Sequence, residues 1–239
     1  MRFGKIDYLN LLPFEVFVRS YPKPSQFQLF YNKKKSYPAY LNKEFLFGRI
    51  DAGFISSIAA LRAKKERFEA TNIGIVARKK VKSVICLPKE QGDDYQSATS
   101  NALLKVLGLH GRVLIGDRAL IEVLQQEKSH GESGRRDIVY LDMGEEWVQR
   151  EQLPFVFGRL CIRKNKEFYT RLMRMFVKNK IKIPYFILKD AERKSGVSAK
   201  EILSYLDVLS YNVDKKAQFG VERFYRKLRI LSIKPPSRF

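Results

Sequence analysis

The fold is decided near the start of the chain, at residues 2–14, which read RFGKIDYLNLLPF. Residues 2–8 have the composition of a β-strand, which we predict to end at Asn10. Pro13 can then begin a helix, because proline lacks an N–H that the first helical turn would leave unpaired in any case. This order of strand, polar turn and helix is one unit of an α/β protein.

The same order recurs further along the chain. Residues 51–55 form a predicted strand, and we expect Ser56 and Ser57 to cap the helix that follows. Residues 113–115 form another predicted strand, after which Gly116 leads into a helix. Alternating strands and helices predict an α/β fold whose mixed sheets are flanked by helices.

The rest of the pattern divides into a strand-rich part and a helical part. Further strands are predicted at residues 73–77, 81–87, 137–141 and 155–162. Residues 128–136 are polar, contain two glycines and are predicted to form a loop. Everything after Asn165 is predicted to be helical, including a helix in which Ser198 and Glu201 form a capping box.

The length of 239 residues exceeds the size of about 100–200 residues that one core usually supports. We therefore expect a two-lobed chain with crossings near residues 81–87 and 155–162. The first lobe is predicted to be discontinuous, at residues 1–82 and 164–239. The second lobe, residues 83–163, is predicted to be inserted between the two hinge strands.

Composition excludes several protein classes. Hydrophobic residues make up 45% of the chain, which is enough for a core and rules out a disordered tail. The only cysteines, Cys86 and Cys161, cannot form a disulfide framework and have no metal-binding spacing. No apolar run reaches the length of a membrane span, and the first residues lack a signal-peptide pattern. We expect a soluble, cytoplasmic protein.

The formal net charge of +21 raises the possibility of a nucleic-acid partner. However, the basic residues are spread along the chain. Residues 159–182 hold nine basic residues, but these alternate with apolar ones in the manner of a helix with one solvated face. No DNA- or RNA-binding motif is present, so a nucleic-acid partner is not expected. A small anionic substrate is favoured, because a positive protein attracts it.

Small polar residues follow most of the predicted strands. They are Asn10, Ser56, Ser57, Ser97, Thr99, Ser100, Asp117 and Asp142. In an open α/β sheet the carboxyl ends of the strands border the ligand crevice, and helix N-termini there attract anions. Each residue taken alone is equally explained as a helix N-cap. Together they predict a cleft suited to an anion, without naming the ligand.

The common catalytic constellations are missing from the sequence. The two histidines, His110 and His130, lie in loop-like sequence and are expected at the surface. There is no phosphate-binding glycine loop, nucleophile elbow or zinc-protease helix, and no cofactor or metal is expected. Four acidic residues near strand ends could act as bases but are explained equally well as caps: Asp51, Asp117, Asp142 and Glu145.

Several motifs resemble those of the chorismate dehydratases of the futalosine route to menaquinone. They are, in order, KIDYLNLLPF at 5–14, GFISSI at 53–58, VKSV at 81–84, SATSNALL at 97–104, and DMGEEW at 142–147 leading to LPFVF at 153–157. One departure follows the last motif, where GRLC at 158–161 replaces a usual tryptophan-bearing apolar run. That difference concerns packing near the hinge.

The resemblance implies a type II periplasmic-binding-protein-like fold and an enzyme without a cofactor. It implies conversion of chorismate, a dianion, to 3-[(1-carboxyvinyl)oxy]benzoate and water. A sister family in the same pathway, a cyclase, opens with a motif containing cysteine and proline, which Tyr8, Leu9 and Asn10 replace here. The alternatives are that sister cyclase and a non-catalytic sensor or solute-binding protein of the same fold.

The resemblance also implies roles for individual residues. Asn10 and Ser83 are expected beside the reacting centre, where they would position the leaving hydroxyl. Six further residues are expected to bind substrate, chiefly its carboxylates: Ser56, Ser57, Ser97, Thr99, Ser100 and Asp142. No matched motif supplies an obvious base, so the substrate's own enolpyruvyl carboxylate is expected to take the proton.

Overall fold

The structure, a computed structural model, describes residues 1–133 and 139–237. Within these residues the chain forms two sheets with helices packed around them. The strands are β1 Phe3–Ile6, β2 Lys35–Ser36, β3 Ala52–Ser56, β4 Glu69–Ala77, β5 Val84–Leu87, β6 Arg112–Ile115, β7 Leu141–Asp142, β8 Phe155–Ile162 and β9 Leu209–Asn212.

A 3-10 turn at Leu9–Leu11 precedes the first helix. The helices are α1 Leu12–Ser20, α2 Ser25–Phe30, α3 Pro38–Leu46, α4 Ser57–Ala60, α5 Ala63–Glu66, α6 Ala98–Val106, α7 Gly116–Ser133, α8 Met143–Glu151, α9 Lys166–Lys178, α10 Tyr185–Ser195, α11 Ala199–Leu206 and α12 Lys215–Ile230.

The larger sheet is mixed, as predicted. Its six strands run in the order β2-β1-β3-β8-β4-β9. β1 is parallel to β2 and β3, whereas β8 is antiparallel to both β3 and β4. Tight packing of β1 on β3 requires glycine, because a Cβ on Gly53 would lie 3.0 Å from the Gly4 carbonyl oxygen.

The smaller sheet has three strands in the order β6-β5-β7, all antiparallel. The chain leaves the larger sheet after β4, builds the smaller sheet and returns at β8. Residues 155–162, which we assigned to the inserted lobe, therefore form a strand of the larger sheet. The inserted part ends before β8, since that strand pairs on both sides with strands of the larger sheet.

The larger sheet has an apolar core of its own, and a second core is shared by the two sheets. Aromatic side chains dominate the first core, where Phe3, Phe14 and Phe54 pack with ring centroids 5.5 Å apart in each successive pair. Trp147 of α8 and Phe155 of β8 centre the second core, which also includes α6 and α12. The two free cysteines are buried in these cores as small apolar groups.

Helix boundaries follow the predicted caps in several places. Gly48, with φ of +72°, ends the turn after α3. Ser97 caps α6 by accepting the Ser100 N–H, and Ser198 with Glu201 forms the predicted capping box of α11. These local hydrogen bonds satisfy N–H groups that a helix N-terminus leaves unpaired.

Two sequence predictions are wrong or only partly right. Leu209–Asn212 is not helical but forms β9, a short edge strand paired with β4. The predicted loop at 128–136 is helical up to Ser133, because α7 continues through it. Residues 134–138, which hold the rest of that loop and the start of the predicted strand 137–141, lie outside the described part. The side chain of His130 also lies outside it, while His110 is exposed.

The departure at GRLC places a cation in an otherwise apolar strand. Arg159 is buried, and its guanidinium donates to the carbonyl oxygens of Ala70 and Thr71. β4 shifts register against β8 between Ala70 and Gly74. This irregularity leaves carbonyl groups free of the ladder, and the guanidinium satisfies them. At this departure from the family pattern the packing near the hinge therefore includes a buried guanidinium bound to backbone carbonyl groups.

Candidate active site between the two sheets

A cavity lies where the two sheets meet, and we refer to it as the inter-sheet cavity. In this structure it holds about 50 Å³ of space open to a water-sized sphere, well below the range of about 300–1,000 Å³ typical of ligand sites, so the two halves must separate to admit a larger ligand. Its lining from the larger sheet is Ile6, Tyr8, Asn10, Pro38, Phe54, Ser56, Ile75, Phe157 and Gly158. Its lining from the smaller sheet is Ser83, Val84, Ser97, Ser100, Ile115 and Gly116.

Five of the eight predicted site residues line this cavity: Asn10, Ser56, Ser83, Ser97 and Ser100. They come from four separate stretches of sequence; the strand-end pattern predicted all of them except Ser83, which the family resemblance supplied. Asn10 and Ser56 belong to the larger sheet, whereas Ser83 belongs to the smaller one. A ligand in the cavity would therefore touch polar groups of both sheets.

Asn10 is held by its backbone and not by its side chain. The Tyr211 hydroxyl of β9 donates to the Asn10 carbonyl oxygen at 2.5 Å. The side-chain oxygen Oδ1 is buried and has no hydrogen-bond partner among the described residues. A buried amide oxygen without a partner is costly for a folded protein. Its position in the lining leaves this oxygen available to a ligand.

The hydroxyls of the α6 N-terminus form a short chain of hydrogen bonds. Ser97 Oγ accepts the Ser100 N–H at 3.1 Å and donates to Ser100 Oγ at 2.8 Å. The Ser100 hydroxyl proton is then available to the cavity. Because α6 also directs its positive end this way, the arrangement suits a carboxylate.

Ser83 sits at the first crossing between the sheets. Its carbonyl oxygen accepts the Gly116 N–H at 2.9 Å, and its side chain is hydrogen bonded to the Tyr205 hydroxyl of α11. Burial raises the pKa of Tyr205, so this hydroxyl stays protonated at neutral pH. Tyr205 lies over a hundred residues from Ser83 in sequence, and no local pattern indicated it.

Ser57 and Thr99 are close to the cavity but turned away from it. The Ser57 hydroxyl donates to the Val156 carbonyl oxygen, and Thr99 Oγ1 accepts the Ile58 N–H at 3.1 Å. Both side chains are almost fully buried. Their hydrogen bonds join α4 to β8 and to α6, so these two residues support the site without lining it.

Asp142 also lies outside the lining and binds only backbone. Its Oδ1 accepts the N–H groups of Gly144 and Glu145, both at 3.0 Å. Its Oδ2 accepts those of Val81 at 3.0 Å and Lys82 at 2.6 Å. Burial raises the pKa of Asp142, and these N–H groups oppose that shift. The carboxylate therefore fixes the crossing segment that carries Ser83.

Further contacts join the two halves around the cavity mouth. The Tyr8 hydroxyl donates to Gln96 Oε1 at 2.5 Å, and the Ala39 N–H donates to the Gln96 carbonyl oxygen at 2.9 Å. The Leu9 N–H donates to Asp117 Oδ1 at 2.9 Å. Asp117 was singled out from the sequence as a strand-end residue, and Tyr8 and Leu9 as part of the first family motif, whereas Ala39 and Gln96 carry no distinctive pattern.

Burial dominates the electrostatics of these mouth residues. It raises the pKa of Asp117 to about 6, although the Leu9 N–H opposes the shift. It also raises the pKa of Tyr8, and the carboxylate of Asp94 adds to that effect. Tyr8 is therefore a neutral hydroxyl at physiological pH.

The described lining of the cavity contains few kinds of functional group. None of the described residues that line it is Asp, Glu, His, Lys or Arg. Among the described residues there is also no group of three or more His, Cys, Asp or Glu side chains placed to hold a metal ion. The lining offers hydroxyls, one carboxamide and apolar walls, which hold and orient a ligand rather than exchange protons with it.

Within the described part of the chain, no helix is both long and apolar enough to span a membrane.

The architecture places the protein in a known fold class. It is similar to a crystal structure of a protein from Archaeoglobus fulgidus, with 12% identity, 97% coverage of each chain and a TM-score of 0.62. It is also similar to the alkanesulfonate-binding protein SsuA from Xanthomonas axonopodis pv. citri, with 13% identity, coverage of 100% of this chain and 94% of that one, and a TM-score of 0.50. The fold is that of the type II periplasmic binding proteins, as predicted.

Sequence comparison gives the family within that class. A family model described as menaquinone biosynthesis matches residues 1–113 and 108–229. A chorismate dehydratase from Campylobacter jejuni subsp. jejuni is 37% identical over 235 residues, covering 98% of this chain and 100% of the relative. The chain belongs to this menaquinone-biosynthesis family, and the resemblance found in the motifs is confirmed.

Proposed function

We propose that this protein is a chorismate dehydratase and that the inter-sheet cavity is its active site. One observation carries the proposal. In a chain of this family, Asn10 presents a buried, unpartnered amide oxygen to a cavity whose described lining has no acid, imidazole or cation. Such a site supplies no base of its own, which is consistent with a substrate that carries the base itself.

The dehydration of chorismate requires little acid–base chemistry from the protein. Chorismate loses the proton from the ring carbon that bears the ether oxygen, and the neighbouring carbon loses its hydroxyl. The electron pair of the broken C–H bond forms the new ring double bond, and the C–O bond breaks with its electron pair on oxygen. Proton and hydroxide leave as water, and formation of the aromatic ring drives the step forward.

Asn10 and Ser83 act at the leaving hydroxyl. The Asn10 amide has both a donor and an acceptor, so Oδ1 accepts the hydroxyl's proton in a hydrogen bond while the NH₂ group donates to oxygen. Ser83 reaches the same region from the smaller sheet, with Tyr205 behind it. Donors fixed in advance stabilise charge that develops on the departing oxygen.

Ser56, Ser97 and Ser100 hold the substrate carboxylates. All three line the cavity, and the N-terminus of α6 adds its backbone dipole beside Ser97. Ser57, Thr99 and Asp142 contribute indirectly, because their side chains bind backbone groups that shape the cavity.

The base is the enolpyruvyl carboxylate of the substrate itself. Tyr8 is the one titratable side chain among the described lining residues, and its raised pKa keeps it protonated. A carboxylate tethered to the ring it deprotonates reacts at a high effective concentration. Closure of the two sheets over a bound substrate would keep water from competing for the same positions.

The direct test incubates purified protein with chorismate alone and follows the ultraviolet spectrum and the product mass. We expect a product with the mass of chorismate minus water, formed without added metal or cofactor. Chorismate binding without turnover would overturn the enzymatic proposal in favour of a binding protein or the sister cyclase. If the protein neither converts nor binds chorismate, chorismate is refuted as its ligand.

A further inference from the structure

A buried asparagine behind the cavity controls one of the cavity's hydroxyls. Asn42 of α3 is 2% exposed and does not belong to the lining. Its Oδ1 accepts the Ser56 N–H at 3.0 Å, and its Nδ2 donates to Ser56 Oγ at 2.7 Å. The two residues are thus joined by a pair of hydrogen bonds that uses both ends of the amide.

The direction of both hydrogen bonds is forced by chemistry. A backbone N–H can only donate, so the amide atom that faces the Ser56 N–H must be the oxygen. The NH₂ group of Asn42 must then face Ser56 Oγ, which accepts. No alternative flip of the amide satisfies the backbone group, so the orientation of Asn42 is fixed.

This arrangement leaves the Ser56 hydroxyl proton with one direction to point. Oγ is occupied as an acceptor on the Asn42 side, and the described residues provide no acceptor for the proton. Ser56 lines the cavity, which is the remaining open side. The hydroxyl is therefore held as a donor toward whatever occupies the cavity.

The neighbouring serine shows what happens without such a partner. Among the described residues no side-chain amide accepts the Ser57 N–H or donates to its oxygen, and its hydroxyl donates to the Val156 carbonyl oxygen away from the cavity. Two consecutive serines at the end of β3 thus have different roles. The contact with Asn42 distinguishes them.

We propose that Asn42 is a positioning residue that makes Ser56 a dedicated hydrogen-bond donor to a carboxylate of the substrate. This inference rests on the proposed function and assigns one residue to it. Asn42 does not touch the substrate but acts through Ser56. A serine free to rotate could present its lone pairs to the same carboxylate, which would repel it.

The test is a double-mutant cycle of Asn42→Asp and Ser56→Ala. An aspartate keeps the shape and the acceptor for the Ser56 N–H, but it accepts the Ser56 hydroxyl and turns that proton away from the cavity. We expect Asn42→Asp alone to raise the KM for chorismate about 10- to 100-fold, the range for losing a hydrogen bond to a charged group. We expect kcat to fall much less, because Ser56 binds a carboxylate of the substrate and not the reacting carbon.

The Ser56→Ala background separates hydroxyl orientation from added charge. With the hydroxyl removed, Asn42→Asp should change KM by less than about twofold. An undiminished rise in KM in that background would overturn the inference, because the new carboxylate would then act by repelling the substrate. A fall in kcat of about 10- to 100-fold in Asn42→Asp alone, without a rise in KM, would also overturn the inference.

Two further measurements keep the result decisive. Thermal unfolding of each variant shows whether it folds, and if Asn42→Asp does not, Asn42→Ser replaces it in the same cycle with an expected rise in KM of about 3- to 10-fold. The wild type is measured first. If the wild type neither converts nor binds chorismate, the proposed function is refuted. If the wild type is active but the effects of the two substitutions on KM are additive, only the role of Asn42 is refuted.

Discussion

Asp142 offers the sharpest prediction of how the site is held together. Its two carboxylate oxygens accept four backbone N–H groups, two from the N-terminus of α8 and two from the crossing segment at Val81 and Lys82. Asp142→Asn keeps the size of the side chain but leaves a single acceptor oxygen. Whichever way the new amide is turned, its NH₂ group faces two N–H donors.

The magnitude follows from that count. Leaving a buried donor without an acceptor costs about 1–3 kcal/mol, so two such groups lower the free energy of unfolding by about 2–6 kcal/mol. For a chain of this size each kcal/mol corresponds to about 2–4 °C in Tm. If the amide turns its NH₂ group toward Val81 and Lys82, Ser83 loses its support as well. A displacement near 1 Å at a reacting group lowers kcat by about a hundredfold.

The assay combines urea unfolding with chorismate turnover, and Asp214→Asn is the matched control. Asp214 also caps a helix, α12, but accepts one N–H, from Ala217, and pairs with Arg78 at the surface. Asparagine caps helices as well as aspartate does, and an exposed ion pair is worth about 0–1 kcal/mol. If Asp142→Asn is no more destabilised than Asp214→Asn and keeps its kcat, the role given to Asp142 is wrong.

Three more predictions follow from the same geometry. Asn10→Ala should lower kcat at least about a hundredfold with an unchanged Tm, because Oδ1 has no protein partner to lose among the described residues; turnover near the wild-type rate would refute its role. Burial raises the pKa of Asp117 from 3.8 to about 6, so this carboxyl loses its proton at a lower pH in the unfolded chain than in the folded one, and its contribution to the free energy of unfolding falls by about 3 kcal/mol between about pH 4 and pH 6. Asp117→Asn keeps an acceptor for the Leu9 N–H and removes that fall, so urea unfolding should find the variant more stable than the wild type at about pH 7.5 and equal to it near pH 4; a constant difference across this range would contradict the assignment. Gly116→Ala places a Cβ 2.9 Å from the Tyr8 ring at a φ of +66°, so thermal unfolding should show a loss of about 1–3 kcal/mol together with slower turnover; a variant as stable as the wild type would disprove the close contact.

The sequence predicted the parts of the site that depend on local pattern. Asn10, Ser56, Ser97 and Ser100 follow strands, and the structure brings all four to one cavity. Ser83 was found through the family resemblance, because its own surroundings look like an ordinary strand start. Local periodicity also located nearly all the strands, since their side chains are buried and apolar.

The parts that sequence reasoning missed depend on contacts distant in the chain. Asn42 lies in the middle of a helix, where a buried amide has no local signature, and Tyr205 reaches Ser83 from the last third of the chain. β9 was missed because its four residues are half-buried or exposed at a sheet edge and show no clear alternation. The end of α7 was mistaken for a loop because it is polar. In this part of the helix Lys128 forms an ion pair with Glu201.

The crossing pattern has a consequence for how such a protein changes over evolutionary time. The smaller sheet is contiguous in sequence, so a related protein could donate it as one cassette between β4 and β8. The recipient would keep Asn10 and Ser56, while Ser83, Ser97 and Ser100 would arrive together from the donor. Under the proposed function, each such exchange must preserve the match between Asn10 on one half and Ser83 on the other.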